Sequence, residues 1–548
     1  MATTGGGSTG TSPLRVRWLG TVPYPEASDL QHALFDHGVD DWLLLLEHPH
    51  VYTLGASADP ANILVDPAAV GADCVRTDRG GDVTYHGPGQ LVGYPILSVP
   101  GKRGGGMADT VAYVRSVEEL VIGSLRELGL HDVGRLSQYP GVWVEPESAS
   151  PRKIAAIGVR LTRGRSMHGF AINVDPDMSM FENIVPCGIS DKAVTSLAAE
   201  GIDVQMATVV DAVVTRAAAL WAGTRPIDRA EVVRRSGTGD EDLSPFSRGA
   251  GAGTPVRTAA DHRTGPSLRL RGRLAEAGVA EGLDVAERKP DWLRAPLRID
   301  GRPLELKKTL RDLQLVTVCE EAGCPNLSEC WSDGTATFMI NGERCTRKCG
   351  FCLVDTRHPE PLDPEEPARV AEAVARMGLD FAVITTVARD DLSDEGAGAM
   401  AATVRAVRER NPGVRVETLI SDCRGRAEAL DLIFDSRPDV LNHNVETVPR
   451  LQRAVRPSAG YARSLAVLAR AVRAGLVTKS GLVVGMGETD EEIISVLADL
   501  AGIGVSIVTI GQYLRPTSTH LPVDRWVTPE QFEMYAEVGR AMGISHVE

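Results

Sequence analysis

Apolar positions along this chain follow two rhythms, separated by a stretch that has almost none. In the first rhythm, Trp42-Leu-Leu-Leu-Leu46 predicts a short buried strand and Val51-Tyr-Thr-Leu54 a second one that stops at a glycine. Ala108 to Leu128 has helical spacing, with Val111, Val114, Leu120 and Leu125 on or near one face. Lys153 to Leu161 and Met167 to Val174 are β-rich runs joined by Thr162-Arg-Gly-Arg165, the pattern of a hairpin. Gln205 to Trp221 predicts a further amphipathic helix. These elements imply an α/β domain on a mixed or antiparallel sheet.

The second rhythm starts near residue 335 and is more regular. Apolar strand-like runs cover Thr337–Asn341, Phe381–Val387, Val414–Ile420, Val440–Val445, Lys479–Val484 and Ser506–Gly511. Helical patterns lie between them at 364–377, 396–410, 425–436, 461–474 and 490–501, with a last helix at 529–542. Repeated β-then-α units imply parallel strands with right-handed crossovers. Six units fit a partial (β/α)6 barrel, whose chemistry gathers at the C-terminal ends of the strands.

Composition marks the seam between the rhythms. Ser236 to Ser267 is rich in Gly, Ser, Thr and Pro and nearly free of large apolar residues, as in a flexible linker. The expected organisation is therefore a disordered N-terminus (1–13), a first domain (14–225), a linker (226–267), a cysteine-bearing extension (268–334) and a barrel (335–548). A formal charge of −15 argues against nucleic acid or an anionic membrane as the main partner. The N-terminal MATTGGGSTGTSP has neither the basic nor the apolar region of a signal peptide. Unexported free cysteines point to a reducing cytoplasm.

Six of the nine cysteines fall in one stretch as two sets of three. Cys319, Cys324 and Cys330 are spaced C-x4-C-x5-C, and Cys345, Cys349 and Cys352 are spaced C-x3-C-x2-C. Thiolates favour zinc, copper(I) or iron–sulfur clusters. Structural zinc wants four ligands in paired sets, which neither trio offers, and disulfides do not suit a reducing compartment. Three cysteines can hold three irons of a four-iron, four-sulfur cube and leave the fourth open, so two clusters fit this pattern better. Cys74 has no motif around it and is expected to be structural, and Cys423 is expected in the core.

C-x3-C-x2-C is the signature of the radical S-adenosylmethionine (SAM) enzymes. Preceded by CEEAGCPNLSEC and GTATFMI, it resembles the lipoyl synthase family, and the resemblance continues nearly to the end of the chain. It implies a SAM-binding [4Fe-4S] cluster on Cys345, Cys349 and Cys352, whose open iron chelates SAM. It also implies an auxiliary [4Fe-4S] cluster on Cys319, Cys324 and Cys330 that supplies sulfur, with Arg288 to Leu293 wrapping over it. Polar motifs at the strand ends are the corresponding cofactor-binding candidates: Thr386, Asn442, Asn444, Glu446, Gly485, Gly487, Glu488 and Arg515. The two glycines would admit an adenosyl group close to backbone. The Asn442-His-Asn run reads equally as a structural polar network. In the family a serine of a C-terminal Arg-Ser-Ser-Tyr motif ligates the auxiliary cluster. The sequence ends at Glu548 before that motif, and Ser545 sits too early to match, so either the sequence is incomplete or another group caps that iron.

In the first domain, Arg79-Gly-Gly-Asp-Val-Thr-Tyr-His86 offers backbone N–H donors that a ligand can approach closely. Lys153 and Cys187 form a workable acyl-transfer pair. A free thiol titrates near ~8.5, and a neighbouring ammonium favours the thiolate. A lone cysteine can equally be a small buried apolar residue. The segments TDRGGDVTYHGPGQLVGYPIL, KIAAIGVRLTRGRSMHGFAINV and FENIVPCGISDKAVTSL closely resemble the lipoyl(octanoyl) transferase family, which folds like the biotin and lipoate protein ligases. The resemblance implies that Cys187 is the acyl-thioester nucleophile and that Lys153 lowers its pKa and relays protons. It implies an acyl pocket lined by Arg79, Gly80, Gly81, Asp82, Val83, Thr84, Tyr85, His86, Ala156, Ile157, Gly158, Gly169, Phe170 and Ala171. His86 and His168 are polar contacts there or satisfied structural histidines.

The fold expected is thus a biotin/lipoate protein ligase-like mixed α/β domain followed by a radical-SAM partial (β/α)6, TIM-like barrel. The two resemblances imply sequential steps of lipoate biosynthesis. Octanoyl passes from acyl carrier protein to a lysine of a lipoyl domain, on 2-oxoacid dehydrogenase E2 subunits or the glycine cleavage H protein. Sulfur is then inserted at C6 and C8, with a reductant such as flavodoxin or ferredoxin. No nucleic acid or membrane partner is expected. Alternatives are an ATP-dependent lipoate ligase in the first half, and in the second a zinc-stabilised binding module or a half that is inactive without the serine ligand.

Overall fold

A computed structural model describes residues 12–101, 108–186, 192–232, 268–279, 282–283, 288–293, 309–317 and 336–548. Cys187, Cys319, Cys324, Cys330 and the linker expectation from 233 to 267 lie outside the described residues. The chain divides into two units, residues 1–232 with 502–504 and residues 233–501 with 505–548.

The first unit holds strands β1 (Leu14–Thr21), β2 (Asp41–Glu47), β3 (Val51–Leu54), β4 (Asp73–Arg76), β5 (Val83–His86) and β6 (Gln90–Ile96). They are followed by β7 (Val133–Leu136), β8 (Tyr139–Val144), β9 (Arg152–Thr162), β10 (Arg165–Asn173), β11 (Ala193–Val194) and β12 (Ile227–Glu231). The main sheet runs β12-β1-β2-β6-β10-β9-β8-β7, with β11 beside β9, and β4-β3-β5 form a small second sheet. β1 pairs parallel with β2 and β12, while β2-β6-β10-β9-β8-β7 pair antiparallel, so the sheet is mixed. β12 carries the first unit past the expected edge at 225.

The Leu-rich β2 is buried on both faces, which is why it reads as one apolar run. Helices Thr110–Glu127 and Met206–Ala217 cover one face, where Val117, Leu120, Val121, Val209 and Val213 pack against Leu43, Leu45, Ile154 and Ile172. Helix Tyr24–Asp36 lies against β6 and β10. The β9–β10 hairpin turns on Arg163-Gly164, both with positive φ (52° and 73°), the backbone that keeps two twisted strands together. Cys74 is exposed on the short strand β4, so its thiol contributes nothing to a core.

The second unit holds β13 (Val316–Thr317), β14 (Ala336–Ile340), β15 (Phe381–Thr386), β16 (Arg415–Leu419), β17 (Val440–Asn442), β18 (Thr478–Val484), β19 (Ile507–Gln512) and β20 (His546–Val547). They form one sheet in sequence order. Pairing is parallel throughout except for the antiparallel β13 edge. Helices Glu366–Met377, Ala397–Arg410, Ala427–Asp435, Tyr461–Arg473 and Asp490–Gly502 connect β14 to β19, and Pro529–Ala541 follows. Their stops and starts are local chemistry. Gly378 ends the first in the left-handed region, and a Thr528–Gln531 capping box starts the last. The core between strands and helices includes Phe338, Ile340, Ile384, Val404, Val416, Leu441 and Val467, with Cys423 buried among them. Parallel pairing puts the C-terminal ends of β14 to β19 along one edge. Among the described residues no helix is long and apolar enough to cross a membrane.

Candidate active sites

A cavity of about 250 Å3 in the first unit is bordered by the glycine-rich turn after β4, the end of β5, the β9–β10 hairpin and Lys153. Twelve residues of the expected acyl pocket line it: Arg79, Gly80, Gly81, Asp82, Thr84, His86, Ala156, Ile157, Gly158, Gly169, Phe170 and Ala171. Val83 and Tyr85 do not. Side chains alternate along a strand, and β5 sends these two into a small core with Tyr52, Leu54, Phe181 and Ile184. Tyr24, Val92, Tyr94, Tyr139 and Pro140 also border the cavity. Of these Val92 and Tyr94 sit in the motif quoted above, whereas Tyr24 has no sequence signal.

The turn is stapled on both sides. The buried Arg79 guanidinium donates to the Thr53 carbonyl at 2.7 Å and its hydroxyl at 2.9 Å, and Gly80 N–H donates to the Val159 carbonyl at 3.0 Å. Lys153 is buried on β9 opposite Trp143, with Nζ 5.5 Å from the centroid of the indole ring. Gly141 makes this placement fit. Its φ is +119°, and a Cβ there would lie 2.7 Å from Lys153 Cε and 2.6 Å from the Ala155 carbonyl oxygen.

Two histidines, His86 and His168, line the cavity, and a third, His48, is buried beside His86 with ring centroids 5.6 Å apart. His48 bonds the Val22 carbonyl and the Tyr94 hydroxyl, each at 2.7 Å, and His86 Nδ1 bonds Gln90 Oε1 at 2.7 Å. His168, at φ 57°, reaches Asp78 Oδ1 with Nε2 at 2.6 Å, and that bond holds the Asp78 carboxyl well below its usual range. Burial lowers His48 to about 4 and His86 to about 3, so both are neutral at neutral pH. The unfolded chain, with histidine near 6.5, binds more protons between these values and 6.5. Stability is therefore complete above about 6.5 and is lost as pH falls through about 4 and towards 3. His48 alone is expected to cost on the order of 3 kcal/mol by the acid end of that window. Calorimetric unfolding between neutral and acid pH checks this, and His48→Gln should flatten the slope.

In the second unit the loop after β14 carries Cys345, Cys349 and Cys352, all partly exposed and near enough to interact electrostatically. Among the described residues no three His, Cys, Asp or Glu side chains converge on a single ion. A cube does not ask for that, because each thiolate takes a different iron. Soft thiolates close together suit an iron–sulfur cluster. Burial pushes the Cys349 thiol up to about 12, with Arg456 opposing, so a metal must displace its proton to bind. Cys345 Sγ accepts N–H bonds from Ala388 at 3.3 Å and Arg347 at 3.4 Å. The loop is held further by Gly350 N–H on the Val455 carbonyl and by His520 Nε2 on the Cys352 carbonyl at 3.0 Å.

The strand-end candidates divide by partner. Thr386 ends β15, its hydroxyl bonded to Asn341 Nδ2 at 2.7 Å and the Val387 carbonyl at 2.8 Å. Asn442 donates to Glu417 at 2.9 Å, and the Asn444 amide bonds the Glu446 carboxylate. The Oδ1 atoms of Asn442 and Asn444 and Nε2 of His443 are buried without a hydrogen-bond partner among the described residues. Buried polar groups without a partner are the exception in folded proteins, and here three of them gather at one strand end. Neither Gly485 nor Gly487 has room for a side chain. A Cβ at Gly485 (φ +98°) would lie 2.3 Å from Gln512 Nε2, and one at Gly487 (φ +112°) 2.7 Å from a Val279 methyl. The buried Glu488 carboxylate accepts from Gly485 and Met486 N–H, so it caps its own turn. Arg515 donates to the Thr517 and Ser518 carbonyls of its own loop.

Residues 23–218 match the lipoyl protein ligase A/B catalytic domain, and residues 339–500 match the radical SAM superfamily. A lipoyl synthase of Kineococcus radiotolerans is 51% identical over 280 residues, covering 51% of this chain and 82% of that protein. A lipoyl synthase of Rubrobacter xylanophilus is 55% identical over 262 residues, covering 47% of this chain and 82% of that protein. The chain belongs to the lipoyl synthase family. The family likeness lies in its second half, and the first half is a lipoate ligase-like catalytic domain. Among solved structures, lipoate-protein ligase A bound with ATP shares 20% identity over 40% of this chain and 89% of that one, at TM-score 0.34. The FeFe-hydrogenase maturase HydG of Carboxydothermus hydrogenoformans shares 16% over 51% of this chain and 63% of that one, at TM-score 0.33. Membership of the lipoyl synthase and radical SAM families implies SAM and [4Fe-4S] chemistry, and the pairing with a lipoate ligase-like domain places the chain in lipoate biosynthesis.

Proposed function

We propose that the chain performs two successive steps of lipoyl assembly: octanoyl transfer in the first unit and sulfur insertion in the second. The observation that carries the first step is a mostly apolar cavity with a buried lysine in its wall. Val92, Ile157, Phe170 and Ala171 offer the octanoyl chain an apolar lining, and the Arg79-Gly80-Gly81 turn borders it. Cys187 thiolate attacks the thioester carbonyl of octanoyl-acyl carrier protein, and the carrier thiol leaves with a proton supplied through Lys153. The lipoyl-domain amine then attacks the Cys187 thioester, loses a proton to Lys153 and expels the thiolate. Release of octanoyl-lipoyl domain without ATP tests this step. Transfer that needs ATP and free acid would contradict it.

For the second step, Cys345, Cys349 and Cys352 would hold the SAM-binding cluster, and Cys319, Cys324 and Cys330 would hold an auxiliary cluster as the source of sulfur. When bound, the first cluster and SAM supply the one-electron chemistry needed to take hydrogen from unactivated C–H bonds. The chain's own part is to hold the thiolates, offer Asn442, His443 and Asn444 as polar contacts, and keep water out. The second unit's substrate is the octanoylated domain that the first unit makes. We place the working protein in the cytoplasm, with a flavodoxin- or ferredoxin-type reductant and lipoyl domains as partners.

A further inference from the structure

The loop that carries the three thiols is anchored by an ion-pair triad, two of its three side chains buried, with no ligand role of its own. Arg347, 6% exposed and lying between Cys345 and Cys349, forks onto Asp390 with Nε and Nη2 at 2.9 and 2.7 Å. Its Nη1 reaches the fully buried Asp422 at 2.7 Å. Asp390 follows β15 and Asp422 follows β16, so one guanidinium ties the cysteine loop to two neighbouring strand ends. Thr346 adds a second tie to β15. Its N–H and hydroxyl both donate to the Ala388 carbonyl at 3.0 Å, and its Oγ1 accepts from Asp390 N–H at 3.1 Å. Ala388 is the residue whose own N–H donates to Cys345 Sγ.

A largely buried triad of one cation and two carboxylates is expensive to desolvate and is weak evidence for stability alone. Its geometry serves a position: it fixes the segment that aims Ala388 N–H at a ligand sulfur. N–H bonds to cluster sulfurs draw off negative charge and raise the reduction potential. We infer that Arg347 is a positioning residue that holds the Ala388 N–H on Cys345 Sγ and thereby sets the reduction potential of the cluster on this loop. The inference rests on the cluster reading under Proposed function.

The test uses the full chain, purified without oxygen and reconstituted with iron and sulfide, as Arg347→Gln, Arg347→Lys and Asp422→Asn. The readouts are iron and sulfide content, far-ultraviolet circular dichroism, and the midpoint potential of the reduced-cluster paramagnetic signal that SAM addition shifts. Arg347→Gln is expected to keep its secondary structure and to move that midpoint to more negative potential. Arg347→Lys should fall between, because an ammonium keeps the charge but cannot span both carboxylates. Asp422→Asn should shift in the same direction. Should Arg347→Gln fail to fold, Asp390→Asn loosens one arm only, at a side chain 26% exposed, and should give a smaller shift of the same sign. Full iron content with an unchanged midpoint in the folded variants would overturn the inference. Absence of any SAM-shifted signal in the unsubstituted chain would overturn the cluster reading and the inference with it.

Discussion

Cys349→Ser is expected to abolish reductive cleavage of SAM while leaving octanoyl transfer unchanged. The thiol sits where burial resists ionisation, and a soft metal is what compensates for losing its proton. A serine oxygen is harder and far less acidic, so two thiolates remain for a cube that needs three. Iron and sulfide should drop towards half, and the SAM-shifted paramagnetic signal should vanish. The loss in SAM cleavage should exceed roughly 100-fold, the scale that mere changes around a metal ligand produce. Wild-type SAM cleavage in this variant would separate the loop from the chemistry.

Lys153→Met should lower octanoyl transfer by roughly 10²- to 10⁴-fold, the range of a positioned proton-transfer group. The side chain is buried over Trp143 in the wall of the cavity, so methionine fills the same space without the charge. The pH profile gives the sign. If Lys153 supports the Cys187 thiolate as proposed, the unsubstituted chain should keep its rate to lower pH than the variant. Without the ammonium the thiol returns towards ~8.5, and the residual rate should climb as pH rises through that value. Gly141→Ala should have an intermediate effect, since its Cβ would press on Lys153 Cε. Rates that fall equally at every pH would assign Lys153 a packing role.

Much of this arrangement is legible in the sequence because it is written locally. Each βα unit of the second half is long enough for its period to show, and its polar tips follow apolar runs directly. The two-residue strands β13 and β20 are too short for any period. β12 has no apolar run: Ile227-Asp-Arg-Ala-Glu231 becomes a strand because β1 offers it an edge. The cavity motifs name the right stretch of β5 but not its two faces, which only packing against Tyr52 and Phe181 separates. The sequence marks Gly485 and Gly487 but not Gln512 and Val279, the distant residues that a side chain at either glycine would meet. Asp422 gives no signal at all, since its meaning lies in an arginine 75 residues earlier along the chain, Arg347.

The most direct test of the two-step account is a single reaction without oxygen. It contains the full chain reconstituted with iron and sulfide, octanoyl-acyl carrier protein, an unmodified lipoyl domain, SAM and a reductant, and is followed by intact mass of the domain. The account predicts an octanoylated domain first, then a species with two sulfurs added and two hydrogens lost, with no ATP present. A domain that stays unmodified, or that stops at octanoyl while SAM remains intact, would contradict it.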